Sequence, residues 1–325
     1  MAYSVDEAWV QQFTDNVTLL SQQQNSVLEN TGVQGDAKGD RKFFERVDSL
    51  TMTEKTSSNL ATSFDDVTHE KRSVTFADYV LNMYVDIRDT KRALIPIQSA
   101  YVQNAVASWK RQIDSVINTA LLAAASTGTG SGAAFGSTAF DTANQTVDVL
   151  FQAGDPIGAG NGTGTYGTNT GLTLAKILKA KAVLAGNHAI APGDEIFCVI
   201  GENEEIDLFG IDEFKSIDYN AEKPFALGID PNGYIGTFLG INFLRYTGLT
   251  ETDPAAASNH YRSCFMYTKS GLGIVKGGAP SIMVAPNPER NMALTLHVEG
   301  SVGAVRVEEK KVVEIRTSSG ITDPS

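Results

Sequence analysis

The chain has 325 residues, 42% of them hydrophobic and 20% charged, which is enough apolar matter for a folded core and excludes wholesale disorder. Thirty-eight acids against 26 bases leave a net charge of −12. That balance argues against a generic nucleic-acid-binding surface, because neutralising phosphates needs an excess of Lys and Arg.

The opening stretch, MAYSVDEAW, has neither a basic n-region nor an apolar h-region, so a secretory signal is not expected. Ser4 and Glu7 have the spacing of a capping box, and Trp9, Phe13, Val17 and Leu20 recur at helical intervals. From Met1 to Ala37 there are five acids and no Lys or Arg, and the segment then passes Gly32, Gly35 and Gly39. A helix with so narrow an apolar stripe on a glycine tether builds no core of its own. It needs a surface, either its own body or a neighbouring subunit. An ordinary first helix of a globular domain fits the same pattern.

Residues 40–92 are rich in Thr, Ser and Asp. Arg46 to Thr53 and Lys71 to Phe76 alternate with period two, so both are expected as strands, with the polar stretch Glu54 to Asp66 between them. The expectation is a long two-stranded projection. Such a hairpin is marginal alone in water and implies a partner surface, unless it is an edge hairpin of its parent domain.

The clearest element is a helix from Ser99 to Ala125, after Pro96 and with Ser99 as N-cap. Val102, Ala105, Val106, Trp109, Ile113, Val116, Ile117 and Ala120 form its apolar face; Lys110, Arg111, Gln112 and Asp114 take the other. At 1.5 Å per residue it spans roughly 40 Å. Residues 126–171 follow as Gly/Ser/Thr-rich loop or hairpin material, holding one short strand candidate, Thr146 to Phe151.

A more conventional α/β region comes next. Leu172 to Leu184 reads as a helix stopped by Gly186 and Asn187, Ile196 to Ile200 as a buried strand, and Asn203 to Phe209 as a short helix. Ile235 to Tyr246 and Ser263 to Tyr267 supply more strand. Residues 201–260 hold eleven acids against three bases and form an acidic lobe. The final segment reads as sheet: Ala293 to Val298, Gly303 to Val307 and Val312 to Arg316, with Gly300 and the turn Glu308 to Lys311 as breaks. No repeat of 20–50 residues is visible, which argues against solenoids and propellers.

The catalytic inventory is thin. Cys198 and Cys264 stand 66 positions apart in apolar runs and read as buried thiols of a reducing compartment. His69, His188, His260 and His297 are scattered and have no ligand partners at metal spacing. Gly162 to Gly167 satisfies G-x-G-x-x-G, but an Asn/Gly loop precedes it, Tyr166 crowds the phosphate approach, and the next helix starts about five residues late. The adjacent acidic pairs point their carboxylates apart and make no general acid/base pair. A calcium site in the acidic lobe has no D-x-[DN]-x-[DN]-G loop behind it. No cofactor, metal or catalytic residue is expected, and the apolar run Ala120 to Ala125 is far too short to span a bilayer.

The positive signal is therefore architectural. The segment Trp9, Phe13, Val17 leads into Gln22-Gln23-Gln24; Lys42-Phe43-Phe44-Glu45-Arg46 opens the projection and Arg72 to Tyr79 returns it; Ser99-Ala100-Tyr101-Val102 starts the long helix. Leu172 to Lys176, Asp218-Tyr219-Asn220, Phe238 to Phe243 and the close from Gly303 to Ile315 follow in order. This succession resembles the major capsid protein of tailed bacteriophages, of the Hong Kong 97-type fold, over nearly the whole chain. The resemblance implies an α+β fold with an N-terminal arm over residues 1–39, an extended β-hairpin loop over 40–95, a long spine helix with the first part of a peripheral domain over 96–172, an axial domain over 173–280 and the rest of the peripheral domain over 281–325.

The implied function is structural and not enzymatic: hexamers and pentamers of this chain self-assemble into an icosahedral shell around double-stranded DNA, held without sequence specificity. Inter-subunit contacts are then expected at Trp9, Phe13, Val17, Phe43, Phe44, Lys55 and Arg72. Partners would be the chain itself, a portal, and scaffolding or decoration proteins, with no membrane; the product would reside in the virion after assembly in the host cytoplasm. Lys38, Arg41, Lys42, Lys110 and Arg111 are the local bases available to face DNA. Some relatives crosslink through a Lys–Asn isopeptide bond; Lys55 lies near the loop tip without an accompanying motif, so no crosslink is expected. An encapsulin-like nanocompartment shell is the alternative on the same fold, and a glycine-rich nucleotide-binding enzyme is the alternative of a different class.

Overall fold

The computed structural model describes residues 22–36, 39, 41–47, 49–58, 64, 66–85, 97–128, 135–151, 170–211, 233–252 and 261–318. The arm positions Trp9, Phe13 and Val17, the base Lys38, the Gly162–Gly167 loop, Asp218 to Asn220 and His260 lie outside the described residues.

In chain order the elements are β1 (Val33–Asp36), β2 (Arg41–Val47), β3 (His69–Thr75), β4 (Ala77–Val85), α1 (Ile97–Leu122), β5 (Ala125–Gly128), β6 (Gly136–Thr138) and β7 (Thr146–Val147). Then come α2 (Leu174–Gly186), β8 (Ile196–Ile200), α3 (Glu202–Gly210), β9 (Tyr234–Phe238), β10 (Ile241–Arg245), β11 (Glu251–Thr252) and β12 (Tyr261–Thr268). The chain closes with β13 (Leu272–Lys276), β14 (Ser281–Asn287), β15 (Ala293–Arg306) and β16 (Val312–Thr317).

These strands form three sheets. One has seven strands in the order β7-β16-β12-β8-β10-β9, with β11 on β12. Its central strands read as near-continuous apolar runs (IFCVI in β8) because both faces are covered. Val199, Ile200, Phe265, Met266, Val312, Val313 and Ile315 make its buried middle, and α2 packs there through Ile177, Ala180 and Leu184. Thr173 caps α2 by accepting from the Lys176 N–H, and Asn187 ends it. The β9–β10 hairpin turns through Leu239 and Gly240, both at positive φ, the geometry a tight two-residue hairpin demands.

The second sheet runs β1-β13-β15-β14, with β4 also on β15. The third, β2-β3-β5-β6, carries the projection. The expected boundary at residue 280 does not coincide with sheet membership. β16 pairs β12 from beyond it, and β13 leaves that region to pair β15. β4 likewise pairs β15 along nine residues, so after Thr75 the returning strand belongs to the body and not to the projection.

Three local expectations change. The first hairpin strand forms at Arg41–Val47, short of the expected Arg46–Thr53. Helix α1 begins at Ile97, so Ser99 sits in its first turn and is not its cap. Gly300 does not break the sheet: β15 runs unbroken from Ala293 to Arg306, with Gly300 opposite Tyr79. A Cβ at Gly300 would lie 2.7–2.9 Å from three carbons of the Trp109 indole, so the glycine makes room for α1 to lie against the strand. Gly300→Ala is therefore expected to lower subunit stability by about 1–3 kcal/mol through overpacking. Thermal unfolding followed by circular dichroism checks this. The penalty should shrink in a Trp109→Leu background, where the clashing ring is gone.

Candidate functional site

The root of the projection is built by alternation. Along β2, Arg41, Phe43, Glu45 and Val47 point outward while Lys42, Phe44 and Arg46 point in. Phe44 packs against the buried cluster of Val74, Ala125, Val275 and Val305. Gly273 admits it, because a Cβ there would come within 2.6 Å of its ring. Phe43 stays on the outer face and stacks on Phe135 at 5.6 Å.

One carboxylate gathers the charges at this root. Glu309, in the short 3₁₀ turn before β16, accepts from Arg72 Nη2 on both oxygens at 2.6 Å. Arg46 Nη1 approaches it at 3.4 Å and Arg306 Nη2 at 3.8 Å. Arg72 and Arg46 also donate to the Val307 carbonyl, at 3.2 and 3.3 Å. Arg46 bridges to Glu70 at 2.5 Å. Arg306 is fully buried, donates to the carbonyls of Leu121 and Ala123, and lies over the Phe140 ring. Burial pulls the Arg72 and Arg306 guanidiniums below their ordinary range, and Glu309 works against that. Past the last rung, Val47 opposite His69, the loop exposes Leu50, Met52, Lys55 and Phe64, with Met52 100% exposed.

The root of the arm is fastened differently. Asp114, expected on the polar face of α1, is completely buried. Its carboxylate accepts from the N–H groups of Val27 and Leu28, each at 3.0 Å, from Gln23 Nε2 and from Ser26 Oγ. Burial raises its carboxyl above the usual range, and these donors oppose the rise without cancelling it. Leu28 enters the main core, and β1 then pairs parallel with β13. Burial would raise Glu29 too, but the ammonium groups of Lys110 (2.6 Å) and Lys276 (2.7 Å) outweigh it and hold Glu29 below its ordinary value. Arg111 donates to Gln22 Oε1 and the Gln23 carbonyl. Lys110 and Arg111 thus serve their own chain's N-terminal segment.

Among the described residues, carboxylates of the acidic lobe pair with Arg262, from outside the 201–260 window, and with Arg245, from inside it. Arg262 on β12 meets Glu202 at 3.0 Å, Glu204 at 3.2 Å and Glu251 at 2.5 Å. Burial alone would lower its guanidinium; the carboxylates win and hold it above its ordinary range. Thr317 Oγ1 donates to the second oxygen of Glu204. Arg245 pairs with Glu205 at 3.1 Å. Lys176 is buried with no carboxylate bonded to it: its ammonium donates to the carbonyls of Val149 (3.1 Å), Thr170 (2.7 Å) and Arg316 (2.9 Å). Burial lowers its pKa to about 8.

The described residues bring no catalytic constellation together. Cys198 and Cys264 are free, buried thiols that burial pushes upward, away from the thiolate. Among the described residues no group of three or more His, Cys, Asp or Glu converges on a metal-sized site, and no helix is long and apolar enough to cross a membrane. A groove of about 820 Å³ between α2 and α3 is lined by Leu174, Leu178, Ile206 and Ile211. The carboxylate at its floor, Asp207, is already engaged by the Leu172 N–H. Of the expected contact residues, Phe43 and Lys55 face outward, whereas Phe44 and Arg72 are engaged within the chain. Sequence reasoning missed Glu309, Asp114 and Arg262 as organisers, because nothing in their local spacing reveals partners on other elements.

A family model described as phage capsid protein matches residues 5–319. Among solved structures, the capsid of Ralstonia phage GP4 superposes with a TM-score of 0.71 at 10% identity, covering 100% of this chain and 99% of that one. The cyanophage Pam1 capsid asymmetric unit gives 0.68 at 13% identity, covering 98% and 99%, and Mycobacterium phage Che8 gives 0.63 at 12%, covering 94% and 97%. A comparison with curated proteins finds no match. Neither the nanocompartment reading nor the nucleotide-enzyme reading gains support from these likenesses.

Proposed function

The chain belongs to the phage capsid protein family, with the Hong Kong 97-type fold and a structural, non-enzymatic role in the virion capsid; from that premise we propose that its copies close into hexamers and pentamers of an icosahedral shell around double-stranded DNA. Assembly takes place in the host cytoplasm, with a portal and, where the phage encodes them, scaffolding or decoration proteins as further partners. DNA held without neutralisation suits a subunit of net charge −12, since packing then relies on a motor and not on phosphate contacts.

The observation that carries this reading is the projection. Leu50, Met52 and Phe64 are exposed beyond a root that Phe44, Arg72 and Glu309 weld to the body. Apolar side chains on a rigidly rooted arm bury themselves on a neighbouring copy, a head-to-tail contact that closes into rings. Phe43 and Lys55 lie on the contacting side, Phe44 and Arg72 hold the arm in place, and Trp9, Phe13 and Val17 supply the N-terminal arm's contact. The chain expressed alone is expected to form polygonal particles by negative-stain microscopy. Leu50→Asp with Met52→Asp should leave soluble subunits or capsomers with an unchanged circular dichroism spectrum. Normal particles from the double variant would overturn the reading. DNA extracted from native virions, with no enclosed enzyme cargo, is the matching result for the contents.

A further inference from the structure

We propose that Glu309 is the positioning residue of the projection, fixing the direction in which β2 and β3 leave the body and hence the curvature at which copies join. The inference rests on the reading that this projection contacts a neighbouring copy, and extends it to the residue that aims it.

Arg72 sits at the middle of the β2–β3 ladder, opposite Phe44, and Arg46 on its last-but-one rung, opposite Glu70, with only Val47 and His69 beyond. Glu309 therefore holds β3 at mid-ladder through Arg72, at 2.6 Å, and reaches β2 beside the point of departure through Arg46, at 3.4 Å. Its own turn joins β15 to β16, so it is tied to two sheets of the body at once. Arg306, on the body side, is within 3.8 Å of the same carboxylate and is anchored by Leu121 and Ala123 carbonyls. Three guanidiniums share one carboxylate, and two of them, Arg72 and Arg306, are essentially excluded from water.

Such a cluster holds one geometry. Moving the projection separates Arg72 from Glu309 and leaves a buried guanidinium unpaired, which is strongly unfavourable. Arg72 Nη2 donates to both Glu309 oxygens while its Nε and Nη1 hold the Val307 and Ala125 carbonyls, a directional demand that a single point charge would not make. Of the other ties to the body, the Phe44 cluster is apolar and sets no direction, and the β3–β5 ladder covers Lys71 to Ser73 only, short of the last two rungs of the β2–β3 ladder. A rigid root also explains how exposed tip residues can be presented to a neighbour without first paying the entropy of ordering the arm.

The test compares Glu309→Gln, Glu309→Asp and Arg46→Gln in the full chain, with amide hydrogen exchange on the unassembled subunit and the particle-diameter distribution by cryo-electron microscopy as readouts. Glu309→Gln is expected to speed exchange at β2 and β3 amides about tenfold and to replace one particle size by several, or by open sheets. Glu309→Asp should lie between it and the parent. Arg46→Gln, which removes a partly exposed partner, keeps the measurement possible if Glu309→Gln fails to fold, and should broaden the diameters in the same direction. Parent-like exchange and a single parent diameter in Glu309→Gln, or in Arg46→Gln should Glu309→Gln not fold, overturn the proposal. The Leu50→Asp/Met52→Asp variant separates the two ideas. If it assembles normally, the contact reading fails; if it blocks assembly while the Glu309 and Arg46 variants build parent-sized shells, only the positioning role fails.

Discussion

Replacing Arg262 by Met is expected to cost the acidic lobe about 3–5 kcal/mol and to loosen α3 and β11 from the seven-stranded sheet. The guanidinium is the shared partner of Glu202, Glu204 and Glu251, and Glu204 is only 1% exposed. Its removal leaves a carboxylate in a water-poor site with Thr317 as its remaining side-chain donor. The pocket tolerates no easy rearrangement: a Cβ on Gly201 would already sit 2.3 Å from Arg262 Nη1 and 2.5 Å from Glu204 Oε2. Because the cost is that of a stranded charge, Glu204→Gln on top of Arg262→Met should recover part of it. Arg262→Lys should fall between, keeping the charge but losing the fork that reaches three carboxylates. Thermal unfolding and protease sensitivity of residues 201–211 measure all three. Equal losses in the single and double variants would show that packing, and not charge, holds the site.

How far the sequence could be read depended on whether an element carries its reason locally. β8 was legible to the residue, because a five-residue apolar run has to be buried wherever it occurs. α2 lies two residues from its expected span, since its stop at Gly186 and Asn187 lies in the same window as its apolar positions; its cap, Thr173, falls inside that expected span. β2 was misplaced because Arg46 to Thr53 alternates as well as Arg41 to Val47 does. Pairing with β3, the burial of Phe44 against Gly273 and the grip of Glu309 choose between them, and all three come from elsewhere in the chain.

The charged residues were the least legible. Asp114 read as solvent-facing because its residue type and heptad position are those of a polar face, yet it caps a turn 86 residues earlier in the chain. The Gly303–Ile315 motif is visible in the sequence as a pattern. Its meaning, Arg306 and Glu309 meeting Arg72, exists only once three elements are folded together. The excess of acid in residues 201–260 gives no sign of its counter-ion, because Arg262 stands two positions outside that window. Nonlocal pairing of this kind leaves composition and periodicity unchanged, and so leaves no trace in them.

Lys176→Met is expected to lower stability at pH 7 by about 2 kcal/mol and to abolish a specific pH dependence at alkaline pH. The ammonium has three donors and three carbonyl acceptors from three separate segments, the Val149 turn, Thr170 and β16. Val149 O also accepts from Thr170 N and Oγ1, so the carbonyls of Thr170 and Arg316 carry most of the loss. Around this group stand Asp148, Asp207, Glu204 and Cys264, none of them bonded to it. Desolvation dominates and sets the folded pKa at about 8, against 10.5 for an ordinary lysine. Between those values the unfolded chain holds a proton that the folded chain has lost. Stability from this group therefore rises as pH climbs from about 8 to 10.5, is complete above that, and is lost again as pH falls through 8. The full span is at most about 3.5 kcal/mol, from about 1.4 kcal/mol per pKa unit. Denaturant unfolding of the subunit at intervals from pH 7 to 10.5 should show the parent gaining on Lys176→Met across that window and running parallel to it below. Curves that stay parallel throughout would mean that the buried amine keeps its proton, held by the neighbouring carboxylates more strongly than its burial opposes them.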